Sequence, residues 1–254
     1  MQIYILSRKK DTKRRESIEK QLSKIKSTYS FFDAIEPEQL PDSVKANCSS
    51  LTLGERSCAY SHVKISHEIY NSQAPYSIVM EDDAEIHENL DEKAETLSRL
   101  HEFFDVIILG YSKVAFNKRR QMQFIRPVLK LKINNSAVAY PYKQWKCGTV
   151  CYSISHKGAL KLKKINMEAA KTADDWDFFE KSGLIIGHYL PIFVTENYTS
   201  FGSALEEDRN TYKNRKYFLR YIAGILRHTF LPLRYIQFLK KKIYLDNFKS
   251  LKQP

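Results

Sequence analysis

The sequence predicts an α/β sandwich on a mainly parallel or mixed central sheet, and three observations carry that expectation. Short apolar runs alternate with stretches of helical period. The runs are closed by Gly, Pro or charged clusters. The chain has 254 residues, 43% of them apolar and 28% charged, enough to bury about 70–75% of its unfolded surface in one large domain with an appendage. That composition excludes a disordered or fibrous protein.

Taken in order, Gln2–Ser7 is a short apolar strand, and Asp11–Lys26 is a helix with Ile18, Leu22 and Ile25 on one face. Phe31–Ile35 reads as a second strand, and Pro37 and Pro41 bracket a loop. Thr52-Leu-Gly-Glu55 fits a capping box opening a helix that runs to about Asn71, ahead of Pro75. Tyr76–Met80 is an apolar strand that ends directly in Glu81-Asp82-Asp83. The turn after it leads toward a helix over His87–Leu97. Asp105–Leu109 is a further buried strand stopped by Gly110, and Cys147–Ser155 is another, followed by a Lys-rich helix from His156 to Ile165. Leu184–Val194 is the last strand region, broken by Pro191.

No window approaches the roughly eighteen apolar residues of a membrane span, and the N-terminus carries its charges after its apolar run, so neither a span nor a signal peptide is expected. Four cysteines (Cys48, Cys58, Cys147, Cys151) are sparse for a disulfide framework and point to reduced thiols in the cytoplasm. Alternation along Cys147–Ser155 puts Cys147 and Cys151 on one buried face, which argues against zinc there.

The three carboxylates at the end of the Tyr76–Met80 strand are the sharpest chemical feature. They repel one another, and strands disfavour Asp, so the cluster asks for a positive partner. Glu81 and Asp83, two residues apart on an extended chain, suit Mg²⁺ or Mn²⁺ that also grips a diphosphate, and ligands of open α/β sheets sit beyond strand carboxyl ends. The bland alternative is a solvated acidic turn near a helix N-terminus. Cys58 and His62 stand one helical turn apart, a spacing shared by metal ligands and by packed thiols with hydrogen-bonded imidazoles.

Leu53-Gly-Glu-Arg-Ser-Cys-Ala-Tyr-Ser-His62, a helix, and Pro75-Tyr-Ser-Ile-Val-Met-Glu-Asp-Asp83 together resemble the signature of glycosyltransferase family 25. Ile3–Leu6 with Arg14-Arg15, Cys147-Gly-Thr with Tyr152-Ser-Ile-Ser155, Ala173-Asp-Asp-Trp176 and Phe201-Gly-Ser-Ala-Leu-Glu-Glu-Asp-Arg209 extend the resemblance in the same order. It implies a GT-A-like nucleotide-sugar-binding sandwich over residues 1–210. It further implies a metal-dependent inverting hexosyltransferase moving a sugar, by expectation galactose from UDP-galactose, onto a lipopolysaccharide or lipooligosaccharide glycan.

In that frame Glu81 and Asp83 hold the metal, with Asp82 turned away or on the ribose. The acceptor hydroxyl must lose a proton to a carboxylate. Asp175 matches the Asp that precedes Trp in the resembled turn, with Asp174 as the ambiguous neighbour. On spacing alone, either Asp caps a helix beginning at Trp176. Ser7, Arg8 and Arg15 are candidates for phosphate or uridine, Glu55 and His62 for the donor's surroundings, and Ser203 for the donor through its matched block. His188 is a further candidate metal ligand outside the resembled pattern.

Charge is concentrated at the C-terminus. Of 41 basic and 29 acidic residues, eleven basic and only Asp246 among the acids fall in residues 211–254, leaving the body near neutral. Tyr212–Leu231 and Leu233–Leu245 have helical period, split by Pro232, and Lys213, Arg220, Arg227, Arg234 and Lys241 recur every seven residues as a basic stripe. Nine aromatics share the segment. A cationic amphipathic helix of this kind suits an anionic membrane surface, placing the protein at the inner face of the cytoplasmic membrane beside a lipid-linked oligosaccharide acceptor. The alternatives are packing on the catalytic domain, or on a second subunit in a homo-oligomer. A nucleic-acid-binding protein or nuclease using the basic aromatic tail is the reading from another class, opposed by the neutral, acid-clustered body. An inactive assembly subunit for other transferases is the third.

Overall fold

The computed structural model describes residues 1–47, 50–114, 117, 128–133, 136–197 and 231–250. Its framework is an eight-stranded mixed sheet. β1 (Gln2–Ser7), α1 (Thr12–Leu22), β2 (Thr28–Asp33), α2 (Asp42–Lys45), α3 (Leu53–Ser72) and β3 (Tyr76–Glu81) form the first half. After β4 (Ala84–Ile86), α4 (Ala94–Leu100), β5 (Val106–Ile108) and β6 (Gly110–Tyr111) come β7 (Val128–Ile133), β8 (Ser136–Pro141) and β9 (Cys151–Ser155). α5 (His156–Ile165), α6 (Trp176–Lys181), β10 (Ile186–Leu190), β11 (Val194–Glu196) and α7 (Leu231–Ser250) complete the described elements.

The strand order is β2-β1-β3-β9-β5-β10-β8-β7, with β4-β11-β6 as a small second sheet. β1 runs parallel to both β2 and β3, while β9 enters antiparallel between β3 and β5. Alternation along the strands assigns the faces. Ile3, Ile5, Ile78 and Met80 pack with Ile18 and Leu22 of α1 and Leu97 and Leu100 of α4. Leu6, Val79, Val106, Ile108 and Tyr152 pack with Ile65 and Ile69 of α3, Leu162 of α5 and Trp176 and Phe179 of α6. The α/β sandwich on a central mixed sheet is therefore as expected from sequence. Because α1 and α3 lie on opposite faces and lead to opposite neighbours of β1, a crevice opens beyond the carboxyl ends of β1 and β3.

Local chemistry explains several boundaries. Thr52 accepts from the Glu55 amide and the Glu55 carboxylate accepts from the Thr52 amide, the capping box that opens α3. Ser155 accepts from the Gly158 amide and opens α5. The expected helix over His87–Leu97 is corrected. The chain forms β4, which pairs with β11, and α4 begins only at Ala94. Asp91 is held by the amides of Lys26 and Ser27 at 2.6 and 3.1 Å, which fixes the approach to α4. Cys147 lies outside the strand expected to include it, since β9 begins at Cys151; both thiols are buried.

The 210/211 boundary lies outside the described residues. α7 is described over Leu231–Ser250 and includes Pro232, which was expected to split two helices. The basic stripe is corrected at Lys241. Instead of facing solvent it ion-pairs with Glu180 at 2.7 Å and lies 4.4 Å over the Tyr140 ring. Tyr244 donates to the Phe103 carbonyl at 3.0 Å, and Leu245 joins the core on the α1 and α4 face. Tyr235, Ile236, Leu239 and Ile243 remain exposed on the same helix.

Candidate active site at the ends of β1 and β3

A cleft of about 280 Å³ occupies that crevice. Ser7 and Arg8 end β1, Asp11 and Arg14 enter from α1, Ser57, Cys58 and Ser61 from α3, and Glu81, Asp82 and Asp83 from the end of β3. Register explains the convergence, since Leu6 pairs with Glu81 and Ser7 falls beside Asp82.

β3 stops at Glu81, and Asp82 and Asp83 form a turn, so period two does not extend past Glu81. Ser7 Oγ donates to Asp82 at 2.6 Å. One guanidinium nitrogen of Arg14 reaches Asp82 at 3.1 Å and Asp83 at 3.2 Å. Burial works against the Arg14 charge, yet Asp83 and Asp82 outweigh it and raise its pKa. Burial likewise pushes the Asp82 carboxyl up, against Ser7 and Arg14. Asp83 is moved furthest: burial, then the charges of Glu81 and Glu196, raise it to about 8 despite Arg14. Its Oδ1 is buried without a hydrogen-bond partner.

Glu81 faces α3 and β9. The Thr149 hydroxyl donates to its Oε1, and His62 Nε2 lies 3.6 Å from the same oxygen, too far for a hydrogen bond. Burial opposes ionisation of Glu81, but His62, Thr149 and Arg14 together hold it below the ordinary range. His62 Nδ1 is 2.9 Å from the Tyr152 hydroxyl. Cys58, His62 and Glu81 bring their ligand atoms within 4.8 Å of one another.

The remaining candidates separate into cleft and scaffold. Arg8 lines the cleft and forks onto Asp11 at 2.7 and 3.2 Å. Arg15 is turned to the framework, donating to Ser7 and to Asp33 at 2.6 Å and stacking 4.7 Å over Phe31. Glu55 serves the capping box. Asp175 caps α6 by accepting from the Phe178 amide and stands 3.6 Å from Lys146. Asp174 accepts from the Gly148 amide at 3.3 Å, and Trp176 Nε1 donates to the Gly148 carbonyl at 3.1 Å. These bonds tie the 174–176 turn to the segment carrying Thr149, and through it to Glu81. Gly148 has φ +83° and lies against Ser112 with no room for a Cβ, so only Gly fits that bend. Ser203 lies outside the described residues. His188 is fully buried against Trp145, with Tyr111 and Gln144 on its two ring nitrogens, which removes it as a metal ligand.

Sequence reasoning placed Arg14 and Thr149 only within resembled blocks, gave neither a role at the site, and did not single out Glu196. Arg14 had a usable signal: Arg14, Ile18 and Leu22 recur every four residues, so the sheet-facing stripe of α1 continues to Arg14 and delivers it to the strand ends. Thr149 and Glu196 reach the site only through tertiary pairing of β9 and β11.

A family model described as glycosyltransferase family 25 (LPS biosynthesis protein) matches residues 1–176. The lipooligosaccharide biosynthesis protein lic2B of Haemophilus influenzae is 27% identical over 176 residues, covering 63% of this chain and 61% of that protein. A second Haemophilus influenzae relative is 25% identical over 168 residues, 63% of this chain and 55% of its own length. The chain thus spans about three fifths or less of the curated relatives it matches. Among solved structures, galactosyltransferase LgtC in complex with donor and acceptor sugar analogs is similar with a TM-score of 0.43 at 10% identity, over 77% of this chain and 86% of that one.

Proposed function

The chain belongs to glycosyltransferase family 25, and from that premise we propose that it transfers a hexose from a nucleoside-diphosphate donor to a glycan of lipopolysaccharide or lipooligosaccharide. The donor's diphosphate lies in the cleft beyond β1 and β3. The observation that carries this reading is Asp83. A buried carboxylate with an orphaned oxygen, raised to about 8 beside Glu81 and Glu196, has too little positive charge around it even with Arg14 in place. That donor set fits a hard divalent cation.

Asp83 and Glu81 would hold Mn²⁺ or Mg²⁺, which when bound supplies Lewis-acid stabilisation to a departing diphosphate. Arg14 offsets the charge that the three carboxylates leave over. Ser7 orients Asp82 toward the cleft for a ribose hydroxyl, and Arg8 presents a cation at the cleft wall. Arg15 acts on the site by fixing Ser7, and His62 by setting Glu81. Asp175 takes the acceptor proton as the base of an inverting reaction, steadied by Lys146; Asp174 holds Gly148 and with it Thr149. UDP-galactose is the proposed donor.

Among the described residues, no helix is long and apolar enough to cross a membrane. The exposed Tyr235, Ile236, Leu239 and Ile243 of α7, beside exposed Lys240 and Lys242, support attachment to an anionic membrane surface on its cytoplasmic side. A turnover panel tests the whole reading. UDP-galactose, UDP-glucose and UDP-hexosamines with Mn²⁺ are offered to the protein with truncated lipooligosaccharide; one donor should label the acceptor, and silence with every donor would reject the assignment.

A further inference from the structure

The carboxylate of Glu81 faces two side chains that the proposed transfer does not use as ligands. Cys58 and His62 lie at i and i+4 on α3, so both project from one helix face toward it. The sulfur, nitrogen and oxygen of the three residues lie within 4.8 Å of one another. We propose that Cys58, His62 and Glu81 form a binding site for a zinc-class divalent cation on the α3 side of the cleft.

Three observations carry it. His62 is only 3% exposed, and its Nε2, on the Glu81 side of the ring, has no hydrogen-bond partner. A buried imidazole nitrogen left this way is costly unless it meets a proton or a cation. Secondly, Nδ1 is 2.9 Å from the Tyr152 hydroxyl; with that hydroxyl accepting the Nδ1 proton, it is the second partner of a metal-bound imidazole and the Nε2 lone pair is left toward Glu81. Thirdly, the donor set is sulfur, nitrogen and oxygen. Zn²⁺ takes such a set in four-coordinate sites with a position left open, whereas Mg²⁺ and Mn²⁺ favour oxygen. Cys58 lines the cleft and is half-buried, so an ion has a way in from solvent.

This site does not rest on the transferase reading, although the two share Glu81. An ion held by Cys58 and His62 would draw Glu81 toward α3 and away from Asp83, so zinc would oppose a hard cation under the diphosphate.

The test is a cobalt(II) titration of the reduced, metal-stripped full chain. One equivalent should produce a thiolate-to-cobalt charge-transfer band in the near ultraviolet and the strong visible bands of four-coordinate cobalt, both displaced by Zn²⁺. Cys58→Ser, close to isosteric, should lose the ultraviolet band, and Tyr152→Phe should weaken cobalt binding about 10-fold or more. Asp83→Asn should keep both bands, separating this site from the hard-cation site. No sulfur band in the wild type, or an unchanged band in Cys58→Ser, would overturn the proposal. If Cys58→Ser fails to fold by circular dichroism, His62→Ala decides by the same spectrum, with unchanged bands again overturning it.

Discussion

The guanidinium of Arg14 on α1 lies 3.2 Å from the Asp83 carboxylate beyond β3, and the same nitrogen reaches Asp82 at 3.1 Å. All three side chains are largely buried, so Arg14 is the main countercharge to a cluster that burial already disfavours. Removing one partner of a buried pair strands the other, typically at several kcal/mol. Arg14→Gln should lower unfolding free energy by about 2–4 kcal/mol in urea titration, and adding Asp83→Asn should recover part of it. Equal stability of Arg14→Gln and wild type would remove Arg14 from this role.

Asp83 also sets a pH dependence. Its folded pKa, about 8, lies above the unfolded value near 3.8, so the native state holds a proton that the unfolded state has released between those limits. Its contribution to stability is full below about 4 and is lost as pH rises through about 8. The cation-free protein should therefore lose stability toward pH 8 in a way that Asp83→Asn does not. Mn²⁺ should raise the wild-type Tm more at pH 8 than at about pH 6, because less proton has to be displaced. A pH-independent Mn²⁺ shift would contradict this.

Much of this site was legible before the structure. The Glu81-Asp82-Asp83 triplet ends an apolar run, and a strand end in an α/β sheet faces the crevice, so position followed from pattern. The capping box that opens α3 and the helical stretches of α3 and α5 were equally plain. β4, β6 and β11 escaped because two or three residues carry no period, whereas β7 does carry one, apolar residues alternating with Lys from Leu129 to Ile133. The partition of the triplet, with Glu81 toward His62 and Asp83 toward Arg14, depends on β3 stopping at Glu81, which only the pairing of neighbouring strands decides. Lys241 was misread because a seven-residue repeat shows which residues share a face, not which face meets Glu180.

Asp175→Asn keeps an N-cap acceptor for the Phe178 amide but loses the base, so stability should hold while kcat falls about 10²–10⁴-fold, with UDP affinity nearly unchanged. Asp174→Asn should do much less, since an amide oxygen still accepts from Gly148. Steady-state kinetics of the two variants checks this, and the opposite ranking would move the role to Asp174.

His101 is held neutral. Burial outweighs the Phe104 carbonyl and Asp105 and lowers its pKa to about 4, with Nδ1 on the Phe104 carbonyl and Nε2 on Ser153. The unfolded state takes up a proton near pH 6.5, so this stability is present above that value and is lost as pH falls toward 4. The His101 ring resonances should titrate near pH 4 by NMR; a midpoint near 6.5 would contradict the packing.

The docking of α7 changes how the membrane reading is tested. Truncation after Arg209 would also strip Leu245 and Tyr244 from the core, so it confounds binding with folding. Replacing exposed Tyr235, Ile236, Leu239 and Ile243 by Ser should abolish pelleting with anionic vesicles at low salt and leave Tm within a few degrees. Leu245→Ala should instead cost about 2–4 kcal/mol of stability. Unchanged pelleting of the four-site variant would reject attachment through this face.

The central claim is that a nucleoside diphosphate sits on the carboxylates beyond β1 and β3, and calorimetric titration with UDP measures it directly. The account expects binding to the wild type with Mn²⁺, loss of most affinity in EDTA, and the same loss in Asp83→Asn with Mn²⁺ present. UDP affinity in EDTA or in Asp83→Asn that matches the wild type with Mn²⁺, or no binding of UDP under any of these conditions, would contradict it.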